Sequence, residues 1–197
     1  GLRYVREMPT LAELSEYYAA YHGNAKNVHN AARKVGRWRR KLLPLKFLAR
    51  GKEFLDVGCN TGFAVEAARQ LGLHASGYDL SSEAIALARA AYPGCHFEHG
   101  TAQTAAAAGG RYDAVLCAEV LEHLPYQEFS VALRELCRVT NGFVLISLPD
   151  KRSTLLDFKI KLPFLKERRL FWKIHNGRKH VFDGQHYWEI GAQGFSL

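Results

Sequence analysis

The chain has 197 residues, enough for one domain with appendages, and its 48% hydrophobic content suffices for a buried core. No stretch approaches the roughly 18 consecutive apolar residues that cross a bilayer, so no transmembrane segment is expected. The net charge of +8 is unevenly placed: residues 1–52 carry 12 Lys and Arg against 3 Asp and Glu, residues 53–150 carry 5 against 12, and residues 151–197 carry 10 against 4. An acidic centre between basic flanks points to an anionic partner (nucleic acid, a phosphorylated substrate or a membrane surface) or to solvated faces. The four cysteines are scattered, with no C-x-x-C pair, as expected of reduced thiols in a cytoplasmic protein.

Thr10-Leu11-Ala12-Glu13 matches a capping box, and Leu11, Leu14, Tyr17, Tyr18 and Tyr21 behind it recur at helical spacing. A second helix is predicted from about Lys26 to Arg40, apolar along Val28, Ala31, Ala32, Val35 and Trp38, with Pro44 breaking the pattern. From Glu53 the period changes. Phe54–Val57 reads as a short buried strand, Gly58–Gly62 as a turn and Phe63–Leu71 as a helix. His74–Tyr78 is a second strand ending at Asp79, and Ser81 can cap a helix to about Ala91. Cys95–Glu98, Tyr112–Cys117 and Phe143–Leu148 complete five strands, with a helix at Gln127–Val139 and a low-complexity Ala/Gly run at Ala105–Gly110. Alternating strands and helices predict an α/β fold, a Rossmann-like and mainly parallel sheet with helices on both faces. The predicted organisation is a helical cap over 1–44 and a cofactor-binding domain over 45–197. A basic, aromatic insertion lies at about 151–182 and reads as a substrate lid, a helical hairpin or a membrane-surface element.

Open α/β sheets bind ligands at the carboxyl ends of their strands. The first strand ends in Asp56-Val57-Gly58-Cys59-Asn60-Thr61-Gly62, where Gly58 and Gly62 allow a sharp turn and Asn60 tolerates a left-handed conformation. Asp79 lies at the end of the second strand, where a carboxylate can accept the hydroxyl protons of a ribose. A nicotinamide-type G-x-G-x-x-G turn would place glycines where Asn60 and Phe63 stand, which argues against a dinucleotide.

EFLDVGCNTGF at Glu53–Phe63 resembles the S-adenosylmethionine-binding motif of class I methyltransferases. GYDLS at Gly77–Ser81 resembles the acidic ribose-binding position of that family. DAVLCAEVLEHL at Asp113–Leu124 resembles its fourth strand and the start of the next helix, and VLISLP before Asp150 resembles its fifth strand. The resemblance covers roughly residues 50–150. It implies S-adenosylmethionine as cofactor, S-adenosylhomocysteine as product, and a methionine end surrounded by Asp56, Gly58 and Gly62, with Cys59 and Asn60 of the same turn also binding the cofactor. It further implies ribose on Asp79, adenine against Leu80, and Glu119 lining the pocket. Gly100-Thr101-Ala102 replaces a common G-D-A, leaving Thr101 and Ala102 to contact the adenine. The family pattern continues with another helix and an antiparallel strand pair after the fifth strand. Here the chain stops at Gly194–Leu197, so the sheet is expected to lack its last two strands.

With the sulfonium supplying an electrophilic methyl group, the protein must orient a nucleophile and, for a hydroxyl, provide a base. His123, Glu122 and His186 are the candidates. Glu119, Glu122 and His123 stand at i, i+3 and i+4, so a helical turn would bring them together. With His186 they also form a candidate divalent-metal set. The alternative is a pocket-lining Glu119 and a structural His123. The expected reaction is in-line methyl transfer to a small-molecule, lipid-precursor or glycan acceptor. RNA methylation and a non-catalytic S-adenosylmethionine-binding adaptor completed by a partner are the alternatives. The sequence leaves the oligomeric state open.

Overall fold

The computed structural model describes residues 30–150, the strand backbones at 153–160 and 168–174, and residues 186 and 188–190. The helix expected behind Thr10, the first residues of the second helix and the chain's last residues lie outside that set.

Ala31–Leu42 forms helix α1, followed by the single turn α2, Leu45–Leu48. Strand β1 is Glu53–Val57, α3 is Phe63–Gln70 and β2 is His74–Asp79. Helix α4 spans Ser82–Ala91, β3 His96–His99, α5 Ala102–Ala107 and β4 Tyr112–Ala118. A 3-10 turn covers Leu121–His123, and helix α6, Tyr126–Val139, leads into β5, Thr140–Ser147. The five strands form one parallel sheet of order β3-β2-β1-β4-β5. The direction of winding reverses between β1 and β4. That is the switch point where the carboxyl ends of two neighbouring strands open a crevice.

Burial on both faces explains why the strands read as continuous apolar runs. Along β1, Phe54 packs with Val65, Ala68, Ile85 and Phe97 on the α1/α3/α4 side, while Leu55 and Val57 face Leu136, Val139 and Trp188 on the α5/α6 side. The same alternation along β4 sends Ala114 and Leu116 one way and Val115 and Cys117 the other. Ala64, Ala67 and Ala68, all buried, let α3 lie close to the sheet. Ser81 caps α4 as expected, its Oγ accepting the Ala84 N–H at 3.1 Å.

Two expectations are corrected. The Ala/Gly run is not merely low-complexity chain: Ala102–Ala107 is helical, opened by a reciprocal capping box between Thr101 and Thr104. Ala has the highest helix propensity, and the cap supplied the start signal that composition alone obscured. The insertion is not a helical hairpin. Ser153–Ile160 (β6) and Arg168–Ile174 (β7) pair antiparallel as a separate two-stranded sheet. Its alternation of apolar and basic residues has the period of a strand. Among the described residues β5 is the outer strand of the main sheet.

Candidate functional site

The turn after β1 is built from three left-handed residues, Gly58 (φ +76°), Asn60 (φ +50°) and Gly62 (φ +83°). A Cβ on Gly58 would overlap Val120 Cγ2, and one on Gly62 would lie 2.6 Å from Phe97 Cζ. Glycine is therefore required at both positions by conformation and by space. Asn60 takes the third left-handed place, as expected, and its Oδ1 accepts the Thr61 N–H at 2.6 Å. The Gly58 and Cys59 N–H groups both donate to the Tyr78 carbonyl, at 2.8 and 3.0 Å. These bonds hold the turn against the end of β2.

Asp79 closes the same corner. Its Oδ2 accepts the Asn60 N–H at 2.7 Å and its Oδ1 the Ser81 N–H at 2.9 Å. Each oxygen keeps a further acceptor site, and the residue is half-exposed toward a cavity. Asp56 lies deeper, 4% exposed. Burial, followed by the neighbouring Asp79 carboxylate, pushes its pKa up to about 8. A buried acid at a cavity wall with no cation lowering its pKa is suited to receive a cationic ligand group. Burial, then nearby carboxylates, also pushes the Cys59 thiol far up and the Cys117 thiol up to about 12, so neither serves as a nucleophile near neutral pH.

One cavity of about 1150 Å³ gathers nearly all of the predicted site. Asp56, Gly58, Cys59, Asn60 and Asp79 form one end. Leu80, Thr101 and Ala102 form a neighbouring wall, and Glu119, Glu122, His123 and His186 form the other end. Gly62 sits behind the wall as the cap position of α3. The Thr101 hydroxyl is engaged locally, donating to Gln103 Oε1 at 2.6 Å. Gln103 itself lines the cavity. It carries no sequence signal, because its place at the second residue of Ala102–Ala107 depends on a helix that the spacing does not predict.

Glu119, Glu122 and His123 do not share a helical turn. Glu119 is left-handed (φ +56°), its N–H donates to the Ser147 carbonyl at 3.0 Å, and its Oε1 accepts from the Ser147 hydroxyl. Only Leu121–His123 is helical. Of the four candidate metal ligands, Glu122, His123 and His186 come together and Glu119 does not. Glu122, His123 and His186 offer ligand atoms within 4.8 Å of one another, and the two imidazoles stand 5.1 Å apart. Glu122 is fully buried, and its carboxylate oxygens make no well-formed hydrogen bond among the described residues. Its burial, and then the Glu119 and Glu189 carboxylates, raise its pKa to about 7.

Trp188 explains how His186 reaches the cavity. Its ring is 1% exposed, stacks edge-on against Phe129 and Tyr126, and donates from Nε1 to the Leu124 carbonyl at 3.0 Å. Ile190 N–H donates to the Pro149 carbonyl. His186 Nδ1 lies 3.5 Å from Glu189 Oε1. Opposite, α1 brings Lys34, Arg37 and Trp38 to the rim, with Lys34 Nζ 4.7 Å above the Phe63 ring. None of these three was singled out for the pocket from sequence, where they read only as faces of a helix.

A family described as a methyltransferase domain matches residues 28–193. The ubiquinone biosynthesis O-methyltransferase of Paraburkholderia xenovorans is 37% identical over 105 residues, 49% of this chain and 44% of that protein. The enzyme of the same name from Thiobacillus denitrificans is 34% identical over 152 residues, 75% of this chain and 64% of its own length. This chain thus spans between about half and two thirds of those relatives. In fold it is similar to the magnesium protoporphyrin IX methyltransferase of Synechocystis PCC 6803, solved with bound S-adenosylmethionine. That match has a TM-score of 0.59 at 17% identity, over 85% of this chain and 98% of the other. No described helix is long and apolar enough to cross a membrane. With its parallel sheet, its left-handed turn at the switch point and this match over most of its length, the chain belongs to the methyltransferase-domain family, among the class I S-adenosylmethionine-dependent enzymes.

Proposed function

We propose that this chain methylates a hydroxyl group on a small-molecule acceptor, binding S-adenosylmethionine across the switch point. The observation that carries the reading is the single cavity joining Asp56 and Asp79 to His123, Glu122 and His186. When bound there, the cofactor supplies the electrophilic methyl group. Asp79, its orientation fixed by Asn60 and Ser81, receives the ribose hydroxyls on its remaining lone pairs. Asp56 faces the cationic methionine end, and Gly58, Cys59 and Asn60 present backbone to it. Leu80 and Ala102 flank the adenine, and Thr101 or Gln103 meets its polar edge. Glu119 lines the cavity beside Glu122 and His123.

At the acceptor end, His123 or His186 takes the hydroxyl proton as the methyl group is transferred, and Glu122 holds the imidazoles in place. Hydroxyl chemistry is favoured because several relatives are named O-methyltransferases. The helical cap over 1–44, and the insertion at 151–182 as a lid, would enclose the acceptor. The described part of the cap, α1, lines the rim in support of this.

A second reading is favoured by the convergence of Glu122, His123 and His186. The two carboxylate oxygens of Glu122, buried without a well-formed hydrogen bond among the described residues, fit a divalent cation. Glu122, His123 and His186 would hold it, and it would lower the pKa of an acceptor hydroxyl. Glu119, turned to Ser147, would stand outside that set.

The test is methyl transfer from labelled S-adenosylmethionine to a panel of phenols, catechols, sugars and RNA, with and without chelator. Label in a small hydroxyl compound supports the reading. Label in RNA alone, or cofactor binding without turnover to any acceptor, contradicts it. Full activity after exhaustive chelation, with no anomalous peak beside His123 in Mn²⁺-soaked crystals, ends the metal reading.

A further inference from the structure

The exposed apolar positions and the basic N-terminal face of this protein coincide. Seven large hydrophobics are exposed among the described residues, and three of them fall within six positions: Leu43 at 46%, Phe47 at 77% and Leu48 at 58%. Their grouping follows from the backbone. Leu43 and Pro44 are both right-handed helical, so α1 runs almost directly into α2. Leu42 and Leu45, three apart, are buried at 1% and 4%. Leu43 and Phe47, four apart, share the opposite face, which is turned to solvent.

The charge along this stretch of the chain is all of one sign. Residues 30–52 contain nine Lys and Arg and no Asp or Glu. Arg39, Arg40, Lys46 and Arg50 are exposed and form no ion pair among the described residues. Apolar side chains that protrude through a ring of unneutralised cations match an anionic bilayer surface. There phosphate headgroups neutralise the cations and the rings and branched chains enter the acyl boundary. A polynucleotide would use the cations but leave Phe47 and Leu48 in water.

We propose that the α1–α2 face, with Phe47 and Leu48 at its tip and Arg39, Arg40, Lys46 and Arg50 around it, docks this protein on anionic phospholipid. The same α1 lines the cavity rim through Lys34, Arg37 and Trp38, so docking would place an acceptor-binding wall next to the bilayer. The docking itself does not depend on methyl transfer.

The test uses the full chain with vesicles of phosphatidylglycerol mixed with phosphatidylcholine, and with vesicles of phosphatidylcholine alone. Co-sedimentation is expected with the anionic vesicles only, and high salt should weaken it. The double substitution Phe47→Ser, Leu48→Ser should lower the partition coefficient at least about tenfold, since two exposed apolar groups lose their burial. The substitution Lys46→Ala, Arg50→Ala should lower it in anionic vesicles alone. Cofactor affinity should be unchanged in all of them, because none of these side chains lines the cavity. Phe47→Trp should show a blue-shifted emission difference on adding anionic vesicles. No vesicle binding, equal binding to neutral vesicles, or anionic binding indifferent to Phe47 and Leu48 would overturn the proposal. So would a dimer in solution that the Phe47→Ser, Leu48→Ser change converts to monomer, since the face would then be an interface between copies.

Discussion

The Asn60 N–H donates to Asp79 Oδ2 at 2.7 Å, which makes the turn after β1 and the end of β2 a single unit. A ligand that contacts the Asp79 carboxylate therefore meets a group whose orientation is set before binding. Asp79→Ala removes the proposed ribose contacts and releases the turn. Hydrogen bonds to a charged group contribute about 1.5–3 kcal/mol each, so S-adenosylmethionine affinity should fall by two orders of magnitude or more. Asp79→Asn, which keeps an acceptor oxygen, should lose less. Titration calorimetry on both variants measures this, and unchanged affinity in Asp79→Ala would remove the ribose assignment.

Asp56 gives the cofactor reading a pH signature. Its pKa in the folded chain is raised to about 8, well above the ordinary carboxylate value of 3.8, so the folded state holds a proton that the unfolded state releases. Any stability from this group is present in acid and lost as pH rises through the window between those values. A cationic ligand reverses the preference, since it favours the carboxylate and must expel the proton. Cofactor affinity should rise between pH 6 and 8 by up to about tenfold per unit and level off above. Asp56→Asn should flatten that dependence. A wild-type slope no steeper than the variant's would show that Asp56 does not meet the cationic end.

Trp188 is predicted to hold the acceptor end in place. Trp188→Ala should cost about 3–5 kcal/mol by leaving a cavity among Phe129, Tyr126 and Leu136, readable as a lowered denaturant midpoint. In the fraction that remains folded, methyl transfer should fall while cofactor affinity persists, because His186 loses its anchor. Trp188→Phe retains most packing and forfeits the bond to the Leu124 carbonyl, so it should cost only about 1 kcal/mol.

Glu122→Gln separates structural from chemical use of the buried carboxyl. The substitution is nearly isosteric and removes a group whose charged form is disfavoured by burial and by two neighbouring carboxylates. Thermal stability should be kept or slightly raised, while turnover falls at least about tenfold if the group positions a base or binds a metal. Full turnover in a stable variant would make Glu122 a packing residue.

The sheet and the turn at its switch point are legible because their determinants are local. Phe54–Val57, the glycine turn and Asp79 are fixed by strand periodicity and by positive-φ chemistry within one β-α-β unit. The grouping of Glu122, His123 and His186 is legible only in part. Glu122, His123 and His186 were chosen from sequence, but on the premise of a helical turn that Glu119 does not join. The convergence depends instead on Trp188 docking 64 residues away in sequence on the Leu124 carbonyl, a contact that no spacing rule encodes. A helical hairpin stands among the three readings of residues 151–182 because their apolar and basic residues satisfy both periods over short windows. A helical cap over the pocket is expected from the sequence, but which of its residues line the cavity, Lys34, Arg37 and Trp38, is not.

A crystal structure of the chain with S-adenosylhomocysteine decides whether one cavity binds the cofactor at Asp79 and presents its reactive end to His123, Glu122 and His186. Ribose hydroxyls are expected within hydrogen-bond distance of Asp79, the amino-acid end beside Asp56 and Gly58, and the sulfur directed toward His123 and Glu122 with open space between. A ligand bound elsewhere, or one whose sulfur points away from His123 with no room for an acceptor, would contradict it.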